Sequence, residues 1–433
     1  MIKFPKYITL AAFLLLCVAF FVVNHILSQN SNPTSLWQYQ CIDTMKTSRD
    51  AARSEMFKQN ASKEIVKELA IVKELGANCV AIDTPYDEEF VPFLEMWVMQ
   101  ARKEGLHIWF RGNFSSWEGW FNYPKGMTTQ EHLQRTKKFI LSHADLFQNG
   151  DIFTPAMEAE NGWGTGYVPP NEYPLFRQFL IDEHTNAQEA FKEVGKNVLT
   201  NWLSMSGGLA KNMLDEATIK ALDNTVTIDH YVNNPEDMKN YVDYFSTNFH
   251  ARVVVGEFGA PIPDINGTMT DKEQTNFVKD IFYILYQEHE NVFAVNYWTL
   301  NFSSTALVDT NDVSKPVSTV LSQYYRPIVI TGKITDELGD AVAEAKISVN
   351  TGENATFTNA YGQYSIVTPI ITVQLLAFKN NYTMQQMAVP LSSKTKIEQN
   401  IILKPLHPSM LYEIRLHIKR FFESLIQSPK QKN

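Results

Sequence analysis

Cysteine is scarce, with three in 433 residues, at Cys17, Cys41 and Cys79. That excludes a fold stapled by a disulfide framework. Cys17 lies in an N-terminal apolar run, while Cys41 and Cys79 fall in segments that read as strands. These two could lie on neighbouring strands, but buried free thiols are the ordinary outcome and the expectation here. Positive charge is also in deficit, with 38 Lys and Arg against 47 Asp and Glu, a net charge of −9. No basic run interrupts the centre of the chain, so a nucleic-acid partner is excluded. The ten histidines show no HExxH pattern and no paired spacing, so neither a metal site nor a cofactor is expected. With 44% apolar and 20% charged residues the chain is not disordered, and its length calls for more than one domain.

The ends differ from the middle. Lys3 and Lys6 precede an uncharged apolar run, residues 8–23, which reads as an export signal with its positive end left inside. No good cleavage site follows, so residues 1–29 are expected to be an uncleaved signal-anchor that places the rest outside the cytoplasm and makes the membrane a partner. Cleavage would instead release a secreted protein. At the other end, residues 406–433, Leu411, Ile414, Ile418, Phe421, Phe422 and Leu425 recur at helical spacing, with Arg415, Lys419, Arg420 and Glu423 on other faces. This amphipathic helix is expected to dock on the preceding domain, with interfacial membrane contact as the alternative.

Between residues 30 and 326 short apolar runs alternate with longer helical patterns, the mark of parallel βα units. Eight strands are predicted over 37–43, 78–83, 107–113, 151–158, 197–203, 225–231, 252–258 and 292–298. Helix starts stand between them: Thr128 with Glu131 and Thr270 with Glu273 as capping boxes, Asn234 with Pro235 as N-cap and first helical residue. Eight repeats give an α/β fold, a (β/α)8 TIM barrel. A doubly wound open sheet is the runner-up, weakened because no glycine-rich phosphate loop follows the first strand.

Chemistry in such a barrel sits at the C-terminal strand ends. Those ends offer Asp43, Asp83, Arg111 with Asn113, Glu158 with Glu160, Asn201, His230 with Tyr231, Glu257 and Trp298. Glycosidic bond hydrolysis takes two carboxyl groups flanking one sugar ring, one of them protonated. Glu158 and Glu257 end strands four and seven and so face each other across the mouth. Met157 and Trp163 would keep one neutral, and His230 or Tyr231 would hold the other ionised. If the chain stays extended past Glu158, Glu160 points the same way and is the reserve acid/base. The loop from Asn113 carries Trp117, Glu118 and Trp120 and suits a sugar subsite unless its tryptophans fold back onto the barrel; Trp163 and Tyr167 form a second aromatic cluster.

Val253-Val-Val-Gly-Glu-Phe-Gly-Ala-Pro261 resembles the seventh-strand nucleophile motif of clan A glycoside hydrolases, the group that holds the family 5 cellulases and mannanases. Ile228-Asp-His-Tyr231, Asn296-Tyr-Trp298 and the segment 151–158 ending in Glu158 resemble that clan's sixth-strand, eighth-strand and acid/base segments. The resemblance implies a retaining hydrolase of O-glycosidic bonds acting on carbohydrate. Glu158 would be the acid/base, Glu257 the nucleophile, His230 and Tyr231 the residues positioning nucleophile and sugar, and Trp298 the floor. Two departures stand out. Met157 replaces the clan's Asn before the acid/base, and the second strand ends in Asp83 in place of Arg, contacts that Arg111 or Asn201 would have to supply. A catalytically inactive, surface-tethered carbohydrate-binding barrel and a transglycosylase are the rival readings.

From residue 327 to 405 helices give way to strands of period two. Ile330-Thr-Gly-Lys-Ile-Thr-Asp336-Glu-Leu-Gly339, with Thr358-Asn-Ala-Tyr-Gly362, resembles a carboxypeptidase regulatory-like domain. That implies a small non-catalytic all-β sandwich, expected to serve as a spacer, with a carbohydrate- or wall-contacting platform as the alternative.

Overall fold

The structure, a computed structural model, describes residues 35–350, 354–371, 373–390 and 396–427. The apolar run 8–23 and the signal-anchor reading lie outside these residues. Among the described residues no helix is long and apolar enough to cross a membrane. The described chain divides into two compact units, one ending at Arg326 and one beginning at Pro327.

In the first unit eight strands run parallel in the order β4-β3-β2-β1-β8-β7-β6-β5. They are β1 (Tyr39–Asp43), β2 (Cys79–Ile82), β3 (His107–Phe110), β4 (Ile152–Phe153), β5 (Met205–Ser206), β6 (Thr225–Asp229), β7 (Arg252–Phe258) and β8 (Val292–Tyr297). Closure falls between β4 and the segment before β5, through an Ile152 to Leu199 bridge and the bond from Glu158 N to Ser204 O (3.0 Å). The result is the expected TIM barrel. Strands covered on both faces can be apolar throughout, and Val253, Val254 and Val255 are all fully buried. Strand four is shorter than its sequence suggests, and strand five lies at Met205–Ser206, past the predicted 197–203, where only Leu199 forms a bridge. After Thr154 comes Pro155, which has no N–H for a ladder, and the Thr154 hydroxyl takes the Trp202 carbonyl (2.7 Å) that a strand partner would use.

Helix starts follow the sequence with one difference. The Thr270–Glu273 capping box makes both of its bonds, and Asn234 caps the helix that starts at Pro235. Thr128 accepts from Glu131 N (3.2 Å), but the Glu131 carboxylate turns to Arg135 (2.7 Å), leaving the box half formed.

The barrel interior is filled by Tyr39, Cys41, Cys79, Ala81, Trp109, Ile152, Trp202, Val254 and Ala294. Here the expectation of free thiols is corrected. The register of β1 and β2 sets Cys41 opposite Cys79, and the two form a disulfide with Cα atoms 4.3 Å apart. Sequence spacing carries no register, so the pairing became visible only once the strands were adjacent.

The second unit is an all-β module: β9 (Ile328–Thr335), β10 (Lys346–Val349), β11 (Asn354–Phe357), β12 (Gln363–Thr368), β13 (Val373–Phe378), β14 (Gln385–Val389), β15 (Lys396–Glu398) and β16 (Ile401–Ile402). Its two sheets, β11-β10-β13-β14 and β12-β9-β15 with β16 also on β9, enclose a core that includes Ile330, Ile347, Leu375 and Leu403. The helix Met410–Gln427 docks on this module through its basic side. Lys419 donates to the Glu337 carbonyl (2.8 Å) and Arg420 to the Glu337 carboxylate (3.0 Å), while Leu411, Ile414, Ile418, Phe421 and Phe422 stay exposed.

Closing a loop of 38 residues in sequence restricts the unfolded chain by about 4 kcal/mol in the chain-entropy model, and measured effects run about 2–4 kcal/mol. The Cys41→Ala/Cys79→Ala double variant is expected to lose stability in that range in urea titration. Denatured but unreduced protein should show one titratable thiol, Cys17, rising to three on reduction.

Candidate active site

The mouth of the barrel is organised around one guanidinium. Arg111 follows β3 and is fully buried. Its Nη1 reaches Glu257 Oε1 (2.6 Å), Asp43 Oδ2 (3.2 Å) and Asp83 Oδ1 (3.3 Å), and its Nη2 reaches Asp229 Oδ2 (2.7 Å) and Ser204 Oγ (3.4 Å). Residues at the ends of β1, β2, β6 and β7 and before β5 thus meet on one cation. Four carboxyl groups against one guanidinium cannot all ionise cheaply in so dry a place. Burial pushes Asp43 up to about 6 against the pull of Arg111. Asp83 and Asp229 are raised well above the carboxylate range, again first by burial.

Glu257 is set by a β-bulge. The β6–β7 register pairs Ile228 with Val255 and then Asp229 with Glu257, leaving Gly256 as the extra residue. A Cβ there would meet Asp229 Oδ1 at 2.4 Å, so glycine is what lets the Asp229 side chain pass. Bulges beside active sites re-aim side chains in this manner. Both oxygens of Glu257 then receive donors, Arg111 on Oε1 and the Tyr231 hydroxyl on Oε2 (2.6 Å).

Glu158 arrives by another irregularity. The chain leaves β4 early, and Glu158 adopts φ 40°, ψ 51° ahead of a 3-10 turn, Ala159–Asn161. A left-handed glutamate costs on the order of 1 kcal/mol or more and persists because the surroundings enforce it, here the bond from its N–H to Ser204. Its carboxyl is raised well above the usual range by burial and then by the negative charges of Glu257 and Asp229. One oxygen each of Glu158, Asp229 and Glu257 lie within 4.8 Å of one another. This trio could take a cation, but Arg111 already binds two of its members.

A cavity of about 330 Å³ opens over these groups, lined by Met45, Arg49, Glu118, Trp120, Glu158, Asn161, Tyr231, Glu257, Ile262 and Trp298. Trp298 and Tyr231 meet edge to face, centroids 5.9 Å apart, and the Arg49 guanidinium lies 4.7 Å above the Trp120 ring. Burial raises Glu118 to about 7. The structure therefore brings Asp43, Asp83, Arg111, Trp120, Glu158, Tyr231, Glu257 and Trp298 to one place.

Six sequence candidates lie elsewhere. Glu160 is not beside Glu158 on an extended strand, because the turn redirects it to accept from Ser206 N (2.8 Å); burial raises it to about 7. Asn201 points outward, its amide donating to Leu222 O (3.2 Å), because strand five ends later than its sequence suggests. The His230 ring packs on Tyr241, centroids 3.9 Å apart, its link to Glu257 runs through the main chain, and burial lowers it to about 4. Trp117 folds back to stack on Phe179, and Trp163 packs on Phe176 and donates to Glu172 (2.7 Å). Asn113 braces the loops from below, bonding the Met157 carbonyl (3.2 Å) and His132 (2.9 Å). Neither Met157 nor Trp163 lines the cavity. Missed in the sequence were Asp229, Ser204, Arg49 and Asn161, while Glu118 was named only as part of the Asn113 loop. Asp229 ends strand six and was within reach of the strand-end rule; the others sit in loops with no such signal.

No family model and no curated protein sequence matches the chain. Solved structures do match in fold. GH5_18 from Streptomyces cattleya in complex with GlcNAc aligns at TM-score 0.50 and 13% identity, over 74% of this chain and 86% of that one. A variant of it in complex with Manb1-4GlcNAc gives 0.50 and 13% over 69% and 84%. Bacteroides uniformis beta-glucuronidase 2, covalently bound to cyclophellitol-6-carboxylate aziridine, gives 0.44 and 12% over 79% of this chain, which spans only 44% of that enzyme. At such identities the likeness to the two GH5_18 structures shows the barrel fold.

The raised carboxyls set a pH dependence. Asp43 at about 6 and Glu68, Glu118 and Glu160 at about 7 lie above their unfolded values near 4. The folded chain therefore binds more protons in that window, and stability is fullest below it and falls as pH rises to about 7. The urea midpoint is expected to be higher at pH 5 than at pH 7.5, and Glu160→Gln to flatten the slope. Arg111→Met should cost about 3–5 kcal/mol, since it strands buried carboxylates, and should steepen the same decline.

Proposed function

We propose that the barrel is a retaining glycoside hydrolase acting on O-glycosidic bonds of a poly- or oligosaccharide, with Glu158 as acid/base and Glu257 as nucleophile. The carrying observation is that their carboxylate oxygens approach to within 4.8 Å in unlike surroundings. Retaining enzymes hold these groups about 5–5.5 Å apart and inverting enzymes about 6.5–9.5 Å, to leave room for water. Glu158 is kept protonated by burial and like charge. Glu257 carries a donor on each oxygen. The sugars in the GH5_18 complexes support carbohydrate as the ligand class.

In the first step a Glu257 oxygen attacks the anomeric carbon. The glycosidic bond breaks onto its oxygen, and that oxygen takes the Glu158 proton. In the second step water attacks the glycosyl ester, Glu158 takes the proton of the water, and Glu257 leaves as carboxylate. Tyr231 and Arg111 hold the nucleophile, Trp298 offers a face for the sugar ring, and Trp120 with Arg49 also lines the cavity. Export to the cell exterior accords with this reading, since residues 8–23 read as an export signal and the Cys41–Cys79 disulfide suits an oxidising compartment.

The test is leaving-group dependence together with product stereochemistry. Glu158→Ala is expected to keep glycosylation by an aryl glycoside of a strongly acidic phenol, lose natural substrates and accumulate glycosyl-enzyme. Glu257→Ala should lose both classes by several orders of magnitude. Proton NMR of the first product should show the anomeric configuration of the substrate; the inverted anomer would refute the retaining assignment.

A further inference from the structure

The acid/base of this site stands on a turn, next to a methionine whose side chain is fully buried. Something else must orient it. Its carboxyl has a single hydrogen-bond partner among the described side chains, the amide of Asn161 three residues on, with Nδ2 3.1 Å from Oε2. That amide is held in turn. The Glu118 carboxyl lies close enough to Asn161 to feel its amide, and Glu118 receives the Asn113 amide (3.4 Å), which is locked by its bonds to Met157 O and His132. The backbone adds to this, since Asn161 N donates to Glu158 O (2.9 Å) and closes the turn on which both side chains ride. Asn161, Glu118 and Glu158 all line the cavity.

An amide N–H needs an acceptor, and in a protonated carboxyl the acceptor is the carbonyl oxygen. With Nδ2 donating to Oε2, the proton of a neutral Glu158 sits on Oε1, which no described residue engages. Resting on the retaining reading, we propose that Asn161 is the positioning residue of the acid/base, fixing Oε2 as acceptor and leaving Oε1–H directed to the leaving-group oxygen. Asn161 does not touch the reacting atoms. It acts through Glu158, on the steps in which Glu158 gives or takes a proton.

This separates it from a residue that merely holds the loop. Loss of the amide should hurt substrates in proportion to their need for protonation. The same amide favours the ionised carboxylate, so its loss should raise the pKa of Glu158 and carry the alkaline limb of the kcat/KM profile to higher pH. The experiment compares wild type, Asn161→Ala and the isosteric Asn161→Asp as full-length chains on two glycosides of one sugar, a 2,4-dinitrophenyl and a phenyl glycoside.

Asn161→Ala is expected to lower kcat/KM for the phenyl glycoside by about 10 to 100-fold, a fraction of what general acid catalysis supplies. The dinitrophenyl glycoside should stay within about threefold of wild type, and the alkaline limb should move up. Asn161→Asp, which keeps the volume and replaces the donor with an acceptor, should show the same pattern more strongly. Equal loss on both glycosides with an unmoved limb in both variants overturns the proposal and leaves the hydrolase reading standing. Failure of wild type to turn over either glycoside of any sugar in a broad panel overturns both. Should Asn161→Ala fail to fold, the isosteric variant decides.

Discussion

The site rests on one buried guanidinium. Arg111 binds carboxylates from the ends of β1, β2, β6 and β7, so it fixes the mutual positions of strands that are distant in sequence and sets the charge of the barrel mouth. A cation in so dry a place demands anions, and the anions outnumber it. The surplus negative charge cannot be dispersed into solvent. It appears instead as carboxyl groups that hold their protons, and the groups near Glu158 pass the effect on to it. The same arrangement that secures Glu257 from one side thus keeps its counterpart acidic on the other.

The two carboxylates are delivered by departures from regular structure. Glu257 depends on a bulge that only glycine permits, because a side chain at Gly256 would strike Asp229. Glu158 depends on a short strand and a left-handed residue. Strain and broken pairing concentrate where function does. Around the rest of the barrel, ladder bonds and apolar packing impose the regular pattern, and the disulfide joins β1 to β2 beneath the residues that Arg111 holds.

The alternation of apolar runs and helical patterns was enough for the barrel, and the eighth and seventh strands fall nearly where the period places them. Strand-end residues gave Asp43, Asp83, Arg111, Glu158, Tyr231, Glu257 and Trp298, since in parallel strands the end of a run is the mouth of the barrel. The same rule erred for Asn201, because strand five pairs later than its apolar stretch suggests. It erred for Glu160, because parity holds only while the backbone stays extended. Aromatic loops were legible as aromatic, but composition cannot tell a ring that lines a cavity, Trp120, from one that folds inward, Trp117.

What the sequence by itself determined is what local periodicity and residue chemistry can carry: strands and helices in order, an all-β module after the barrel, and two glutamates at the ends of strands four and seven. What only the tertiary structure decided is every relation between residues far apart in the chain. It paired Cys41 with Cys79, gathered four carboxylates on Arg111, turned His230 onto Tyr241, and set Asn161 against Glu158. Such contacts depend on register, bulges and left-handed turns. A shift of one residue in a strand reverses which face a side chain occupies, and that shift leaves no trace in the pattern of apolar and polar residues.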